Sequence, residues 1–275
     1  MAITAQDVKR LREATGVGMM DCKKALTETD GDFDAAIELL RKKGQKVAAK
    51  RADRDATEGV IATATTDDGA TAVMVEVNCE TDFVARNDDF TGFAQSVADL
   101  ALAERTADRD ALLAAKLDGQ TVADAVTEKT GQIGEKIDVR RVALMEASGG
   151  TVVDYIHPGA KLGVLVEMAG DGELAEAGRD VAMQAAAMNP VAATRADVPQ
   201  ETQDKEREIG REQARAEGKP EQILDKIAEG KLNRYFKDNV LVEQPFVKDS
   251  SMTVQQMLKN SDADLRRFVR FALGA

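Results

Sequence analysis

The chain contains two similar segments whose starting points lie 91 residues apart. The first segment begins at Gly59, and the second begins at Gly150. In each, a valine-rich stretch starts 14 residues after the glycine and contains a glutamate, Glu76 in the first copy and Glu167 in the second. Apolar stretches joined by turn-forming residues are typical of β-hairpins. Chance similarity of two short strands is the alternative, but the matched spacing and matched glutamates favour two related hairpins.

The similarity continues beyond the hairpins at a larger spacing. Each copy goes on to a helical stretch and then to an Asp-x-Arg-Arg sequence, which begins at Asp138 in the first copy and at Asp264 in the second. These sequences lie 126 residues apart, so the second copy is longer by at least 35 residues. Residues 199–231 are rich in Gln, Glu, Lys and Arg, which is typical of a projecting pair of salt-bridged helices. We therefore predict two αβ units, each with a three-stranded antiparallel sheet, and one inserted arm.

The residues that precede the first copy predict a compact bundle of three short helices. Thr4 and Asp7 have the spacing of a capping box before the first helix, with Asp in place of the usual Glu or Gln. A second helix is expected over residues 19–29, with Met20, Ala25 and Leu26 available for the core. The turn Asp30-Gly31-Asp32 is expected to start a third helix.

The end of this bundle has its own composition and charge. Gly44 is expected to cap the third helix, and the basic, alanine-rich residues 45–57 are expected to form an exposed helical linker. Residues 1–54 hold 12 Lys and Arg against 9 Asp and Glu, a balance of +3, whereas the whole chain carries −12. This asymmetry indicates separate modules, of which the small basic one is free to bind an acidic partner surface.

Composition excludes several classes of protein. No apolar run approaches the roughly 20 residues that a spanning helix needs, and Met1-Ala2-Ile3 opens no signal peptide, so no membrane association is predicted. Two cysteines cannot form a disulfide framework, so a reducing, cytoplasmic location is expected. The net charge of −12 argues against general nucleic-acid binding.

No constellation of residues points to an enzyme. The only histidine, His157, falls in a predicted hairpin turn, and the two cysteines, Cys22 and Cys79, fall in different modules. A thiol hydrolase would need tertiary proximity of these groups, whereas buried, inert thiols are the simpler expectation. Metal-ligand spacings and phosphate-binding loops are missing from the sequence. We therefore predict no catalytic residues, no metal and no cofactor.

Two apolar pairs allow more than one interpretation. Phe83-Val84 stands among charged residues after the second strand, and the second copy has Glu173-Leu174 at the positions of Asp82-Phe83. The residues favour Phe83 as a hydrophobic staple under the next helix, and the alternative is an exposed aromatic on a strand-to-helix loop that contacts a partner. Met19-Met20 could likewise fill a core or form an adaptable partner surface.

Two long stretches, residues 15–26 and 76–85, resemble the signature sequences of bacterial translation elongation factor Ts, the guanine-nucleotide exchange factor for the GTPase elongation factor Tu. Gly230-Lys231-Leu232 and residues 244–247 match further downstream. The resemblance implies an α+β fold with a head similar to ubiquitin-associated domains and two related subdomains, the second carrying a coiled-coil arm. The implied division is 1–54 for the head and linker, 55–146 for one subdomain, 147–198 with 232–275 for the other, and 199–231 for the arm.

The resemblance also implies which residues act. Thr81, Asp82, Phe83 and Val84 match the segment that family members press against elongation factor Tu, where it disturbs the Mg²⁺ and phosphate site and releases GDP without covalent chemistry. Five further residues match positions that touch the GTPase elsewhere. They are Arg12, Met19, Met20, Lys23 and His157.

Three further expectations concern partners. The arm mediates self-association in some relatives, so either a one-to-one or a two-to-two complex with elongation factor Tu is open. Some relatives continue past the last strand with a helical module, whose contacts are expected to be missing from a chain that ends at Ala275. An adapter whose head binds helical or ubiquitin-like partners is the alternative function.

Overall fold

The computed structural model describes residues 3–274, so Met1-Ala2 of the expected chain start and the final Ala275 lie outside the described residues. The chain begins with three helices, which we call the head: α1 (Ala5–Thr15), α2 (Met19–Glu28) and α3 (Phe33–Arg51). The predicted capping box is confirmed, because Thr4 Oγ1 accepts from the Asp7 N–H and Asp7 Oδ2 accepts from the Thr4 N–H, at 3.2 and 2.9 Å. It fixes where the first helix starts.

The prediction that Gly44 ends the third helix is wrong, because α3 continues to Arg51. Gly44 lies in the helix interior against the backbone of Gly131, on a helix of the following unit. Its missing side chain therefore allows a close helix crossing and does not form a cap. The expected linker, 45–57, is correspondingly helical only as far as Arg51 and irregular after it.

Met20 is not a core residue, because its side chain is 64% exposed. The second helix instead buries Cys22, Ala25 and Leu26. With 3.6 residues per turn, Met20 lies on nearly the opposite side of the helix from these three, so it faces solvent. The head closes its core with apolar residues from the other two helices, which are Val8, Leu11, Ala36 and Leu40.

The first αβ unit is a hairpin, a set of helices and a third strand. Its elements are β1 (Glu58–Thr65), β2 (Thr71–Cys79), α4 (Asp82–Ala85), α5 (Asp88–Ala103), α6 (Arg109–Ala114), β3 (Lys116–Leu117), β4 (Gln120–Thr121), α7 (Val122–Ile133) and β5 (Asp138–Glu146). The predicted hairpin is confirmed, with Gly69 in its turn at a φ of +67°. β5 pairs antiparallel with the other edge of β2, so the sheet order is β1-β2-β5.

The second unit repeats this arrangement. Its elements are β6 (Thr151–Ile156), β7 (Leu162–Gly170), α8 (Leu174–Met188), α9 (Gln200–Ala216), α10 (Glu221–Asn239), β8 (Pro245–Phe246), β9 (Asp249–Thr253), α11 (Val254–Asn260) and β10 (Ala263–Ala272). Single 3₁₀ turns occupy Arg195–Asp197 and Leu241–Glu243. The second sheet is antiparallel in the order β6-β7-β10, the counterpart of the first. The predicted α+β class is confirmed.

The two sheets pack face to face, and helices cover their outer faces. Alternate residues of each central strand point to opposite sides, so Met74 and Leu165 meet between the sheets while Val75 and Val166 pack under the helices. This double burial explains why the central strands are valine-rich throughout rather than alternating with polar residues.

The inserted helices α9 and α10 form an antiparallel pair whose second helix runs to Asn239, beyond the expected arm boundary at residue 231. A narrow apolar seam joins them, and three arginines of α9 face acidic residues of α10. The ion pairs are Arg207–Glu229, Arg211–Asp225 and Arg215–Glu221, at 2.6, 2.6 and 2.9 Å. Exposed pairs of this kind contribute little stability each, at about 0–1 kcal/mol.

Across residues 3–274, no helix combines the length and apolar character needed to cross a membrane.

Candidate partner-binding surface

Phe83 is 84% exposed, although the two residues that follow it pack against the core of the first unit. Thr81 caps the four-residue helix α4, and its hydroxyl accepts a hydrogen bond from the Val84 N–H at 3.4 Å. Val84 and Ala85 pack against the core of the first unit, and Phe83 precedes Val84 by about 100° around the helix, so it points outward. The hydrophobic-staple interpretation is therefore wrong, because Phe83 is exposed, and its contact with a partner stays a prediction. We call residues 81–84 the wedge segment.

The base of the wedge segment is held by a carboxylate from another part of the chain. Glu135, which follows α7, accepts two hydrogen bonds from Thr81: one from its N–H at 3.0 Å and one from its hydroxyl at 2.7 Å. These contacts fix the backbone at the start of α4. Phe83 is therefore an exposed side chain on an ordered support.

Glu80, just before the wedge segment, is fixed even more fully. Its carboxylate accepts from both the Arg51 guanidinium, at 2.8 and 2.9 Å, and the Lys136 N–H, at 2.7 Å. The Lys136 N–H lowers the pKa of Glu80 most, burial opposes it by raising the pKa, and the Arg51 guanidinium lowers the pKa further, so that it lies below its ordinary value of 4.5. Glu80 is therefore ionised at neutral pH and ties the end of the head to the wedge segment.

Asp82 has a looser environment. Its carboxylate pairs with Arg86 at 2.9 Å, and the Arg86 side chain is largely exposed. An exposed i,i+4 pair contributes only a few tenths of a kcal/mol (~0.3–0.5), so little free energy keeps Asp82 on Arg86. The Asp82 carboxylate is therefore only weakly held in this position.

His157 is brought to the same end of the molecule as the wedge segment. It is exposed in the turn between β6 and β7, where the Tyr155 hydroxyl lies 2.9 Å from its Nδ1. The same turn docks on β1, because Ala160 O accepts from the Ile61 N–H at 2.7 Å and Lys161 pairs with Glu58 at 2.6 Å. Glu58 is the β1 partner of Cys79, two residues before the wedge segment.

The remaining site residues from the sequence lie on the head. Met19 is 41% exposed, and Arg12 and Lys23 are exposed as well. Met20, which is 64% exposed, lies beside it at the start of α2. We call Met19 and Met20 the methionine surface of the head.

A family model described as "Elongation factor TS" matches residues 80–275. The chain belongs to the elongation factor Ts family. Curated members named elongation factor Ts are 52% identical in Prosthecochloris aestuarii and 52% in Christiangramia forsetii, with 99% of both chains covered. The protein from Alkalilimnicola ehrlichii is 50% identical over all of this chain and 93% of its own. Membership supports a role in translation elongation.

Three residues of this elongation factor Ts family member that support the wedge segment were not predicted: Arg51, Glu80 and Glu135. Arg51 and Glu80 are 29 residues apart, and Thr81 and Glu135 are 54 apart. No pattern in the sequence indicates that these residues contact one another, because the contacts depend on how α3 and α7 pack on the first sheet. Only the position of Glu80 inside the second signature hinted at a role.

We expect neither thiol of this chain to react while it is folded. Cys79 is buried, and burial, with a smaller contribution from the nearby Glu135 charge, raises its pKa to about 12. Cys22 is buried in the head core. Iodoacetamide at pH 8 should modify both cysteines only after denaturant is added, as measured by intact mass. Rapid modification of a native thiol would contradict this and revive the thiol-hydrolase alternative.

Proposed function

We propose that this chain binds elongation factor Tu and accelerates the release of GDP, so that GTP can bind in its place. The single observation that carries the proposal is an aromatic side chain, Phe83, exposed beside a loosely paired carboxylate, Asp82, on a rigid support. An aromatic side chain that is exposed on a rigid support gains little from burial in the free protein, and a bound partner can bury it. The match to the family signature agrees with this use.

The mechanism rests on differential binding. A GTPase holds GDP largely through Mg²⁺ and loop amides around the phosphates. The wedge segment would bind a conformation of the GTPase in which those contacts are broken, and would shift the population toward it. Asp82 and Phe83 supply a charge and an apolar face for that conformation, with Thr81 and Val84 positioning them. No covalent step is needed, so the chain would act as an exchange factor and not as an enzyme.

Thermodynamic linkage makes the effect of the chain on GDP binding reciprocal. If the chain weakens GDP binding by some factor, GDP weakens binding of the chain by the same factor. An antagonism of ~4 kcal/mol corresponds to roughly a thousandfold loss of nucleotide affinity, at 1.4 kcal/mol per decade. Free energy of that size requires a broad interface. We therefore assign partner contacts to the head and to the second unit as well, through Arg12, Met19, Met20, Lys23 and His157.

We also propose the organisation and setting in which this happens. The functional units are the head with its linker (1–54), one subdomain (55–146), a related subdomain (147–198 with 232–275) and a helical arm (199–231) suited to self-association. The head is proposed to be similar to ubiquitin-associated domains, and the arm to be a coiled coil. The working location is the cytoplasm, and the partner is a protein rather than nucleic acid or membrane.

The test is a release assay. Elongation factor Tu is loaded with a fluorescent GDP analogue, excess unlabelled nucleotide is added, and fluorescence decay is followed with and without the chain at micromolar concentration. We expect the decay to become faster as the chain is added. Unchanged decay would overturn the proposal, and binding without faster decay would favour the adapter alternative.

A further inference from the structure

The head is attached to the first unit by a crossing of two helices in backbone contact. A Cβ atom added to Gly131, in α7, would lie 2.4 Å from the Cα of Gly44, in α3. Carbon atoms do not approach so closely without a shift, and the obstacle is backbone rather than a movable side chain. The two glycines therefore set the distance between α3 and α7 at this point.

Two further contacts fix the orientation of the head. Next to the crossing, Gln132 Nε2 donates to the backbone oxygen of Thr15, at the end of α1, at 2.7 Å. At the end of α3, Arg51 pairs with Glu80 through two hydrogen bonds. Gly44 and Arg51 are seven residues apart, or about 10 Å along the helix at 1.5 Å per residue. Contacts at separated points restrain rotation as well as distance.

The same contacts connect the head to the wedge segment. Arg51 ends the last helix of the head, and its partner Glu80 immediately precedes Thr81. A displacement of α3 would thus change where the methionine surface lies relative to Phe83. The spacing of these two surfaces depends on the α3–α7 crossing.

We propose that Gly131 and Gly44 are positioning residues, which hold the methionine surface at a fixed place relative to the wedge segment so that one partner molecule engages both at once. The inference rests on the proposed function and adds a requirement for rigid spacing. Two linked contacts strengthen each other only when the geometry allows simultaneous engagement. A preformed arrangement also avoids the cost of ordering the head on binding.

Geometry in the free chain is tested first, with Gly131→Leu as the main variant. A leucine at Gly131 should force the helices apart, whereas Gly230, in the arm, is exposed, and a Cβ atom added there would meet nothing within 4 Å, so Gly230→Leu is the control. Spin labels at Gln6→Cys on the head and Ala103→Cys on α5, both exposed positions, report the distance, because the native cysteines are buried. We expect a narrow distance distribution, which Gly131→Leu shifts or broadens and Gly230→Leu does not.

A pair of alanine variants separates backbone contact from general crowding. Gly131→Ala places a Cβ 2.4 Å from Gly44 Cα, whereas Gly44→Ala places one 3.4 Å from Gly131 Cα, an ordinary contact distance. Both add the same group to a helix interior. We therefore expect a clearly larger change in the spin-label distance for Gly131→Ala than for Gly44→Ala. Equal changes would overturn the assigned contact.

Exchange is then measured with the same variants. Gly131→Leu should need about tenfold or more protein for half-maximal stimulation of GDP release, equivalent to ~1.4 kcal/mol. Its rate at saturation should stay close to that of the unmodified chain, because the wedge segment is intact. Thermal unfolding checks that both leucine variants fold.

The possible results distinguish failure of the positioning role from failure of the proposed function. A changed head distance with unchanged half-maximal concentration overturns the positioning role and leaves the proposed function standing. An unchanged distance in Gly131→Leu overturns the rigid crossing itself. If the unmodified chain fails to stimulate release, the proposed function fails and the inference fails with it.

Discussion

Replacing Phe83 by alanine is expected to reduce stimulated GDP release by about thirtyfold or more while leaving the stability of the chain almost unchanged. Central aromatic residues of an interface cost 2 kcal/mol or more when truncated, which is roughly a factor of thirty. In the free chain Phe83 is 84% exposed, so its removal forfeits little burial. Surface substitutions of this kind change the free energy of unfolding by roughly 0.5 kcal/mol or less.

Phe90 provides the matched control for this prediction. It lies seven residues further along the chain but is fully buried in the core of the first unit. Phe90→Ala should lower the free energy of unfolding by about 3–5 kcal/mol through lost burial and the cavity left behind. Urea unfolding and the release assay on both variants separate the two roles. A destabilised Phe83→Ala, or one that stimulates release normally, would contradict the assignment of Phe83 to the partner surface.

Local features of this fold, such as turns and helix starts, could be predicted from the sequence. Turn residues and the 14-residue spacing predicted both hairpins, and the Thr4 capping box predicted the start of α1. These features depend on backbone geometry and on neighbours a few residues apart, which sequence patterns record directly. The paired Asp-x-Arg-Arg strands added the third strand of each sheet.

The wrong predictions concern residues whose role depends on packing against distant parts of the chain. Gly44 has the residue type of a helix cap, but its role follows from Gly131, far along the chain. Phe83 has the residue type of a staple, and only the inward positions of Val84 and Ala85 settle that it faces outward. Residue type therefore marks a position with a special role, and the tertiary contacts determine which role the residue has.

Two ion pairs, each formed by a buried glutamate and a partly exposed arginine, join the related units in a reciprocal manner. In the first unit, Glu76 is 0% exposed and accepts from Arg141 Nε at 2.6 Å, and Arg141 also donates to the backbone oxygen of Ala272, on β10 of the second unit. In the second unit Arg267 Nε donates to Glu167 at 2.6 Å and contacts the first unit in return, through the backbone oxygen of Glu146 on β5. The matched glutamates of the two copies thus lie at the interface between the sheets.

Removing the buried glutamate of such a pair should destabilise the folded chain clearly. Glu76→Ala removes the charge-assisted hydrogen bond from Arg141 and opens space between the sheets, while the partly exposed Arg141 guanidinium keeps access to water. We therefore expect a loss of about 1.5–3 kcal/mol in the free energy of unfolding. Urea denaturation at pH 7 measures it. Glu104→Ala, at an exposed position, should change it by less than roughly 0.5 kcal/mol. A similarly small effect of Glu76→Ala would contradict the structural importance of the pair.

The counterpart Glu167→Ala adds a dependence on pH. Burial raises the pKa of Glu167, but the Ser148 N–H and the Arg267 guanidinium together lower it more, so that it lies below its ordinary value of 4.5. A carboxyl group with a lowered pKa stabilises the folded state fully above its unfolded pKa, and this contribution disappears as the pH falls through the folded pKa. The difference in unfolding free energy between the unmodified chain and Glu167→Ala should therefore be large at pH 7 and shrink as the pH falls below 4.5. A difference that stays constant across this range would mean that packing, and not the charge of Glu167, holds the two sheets together.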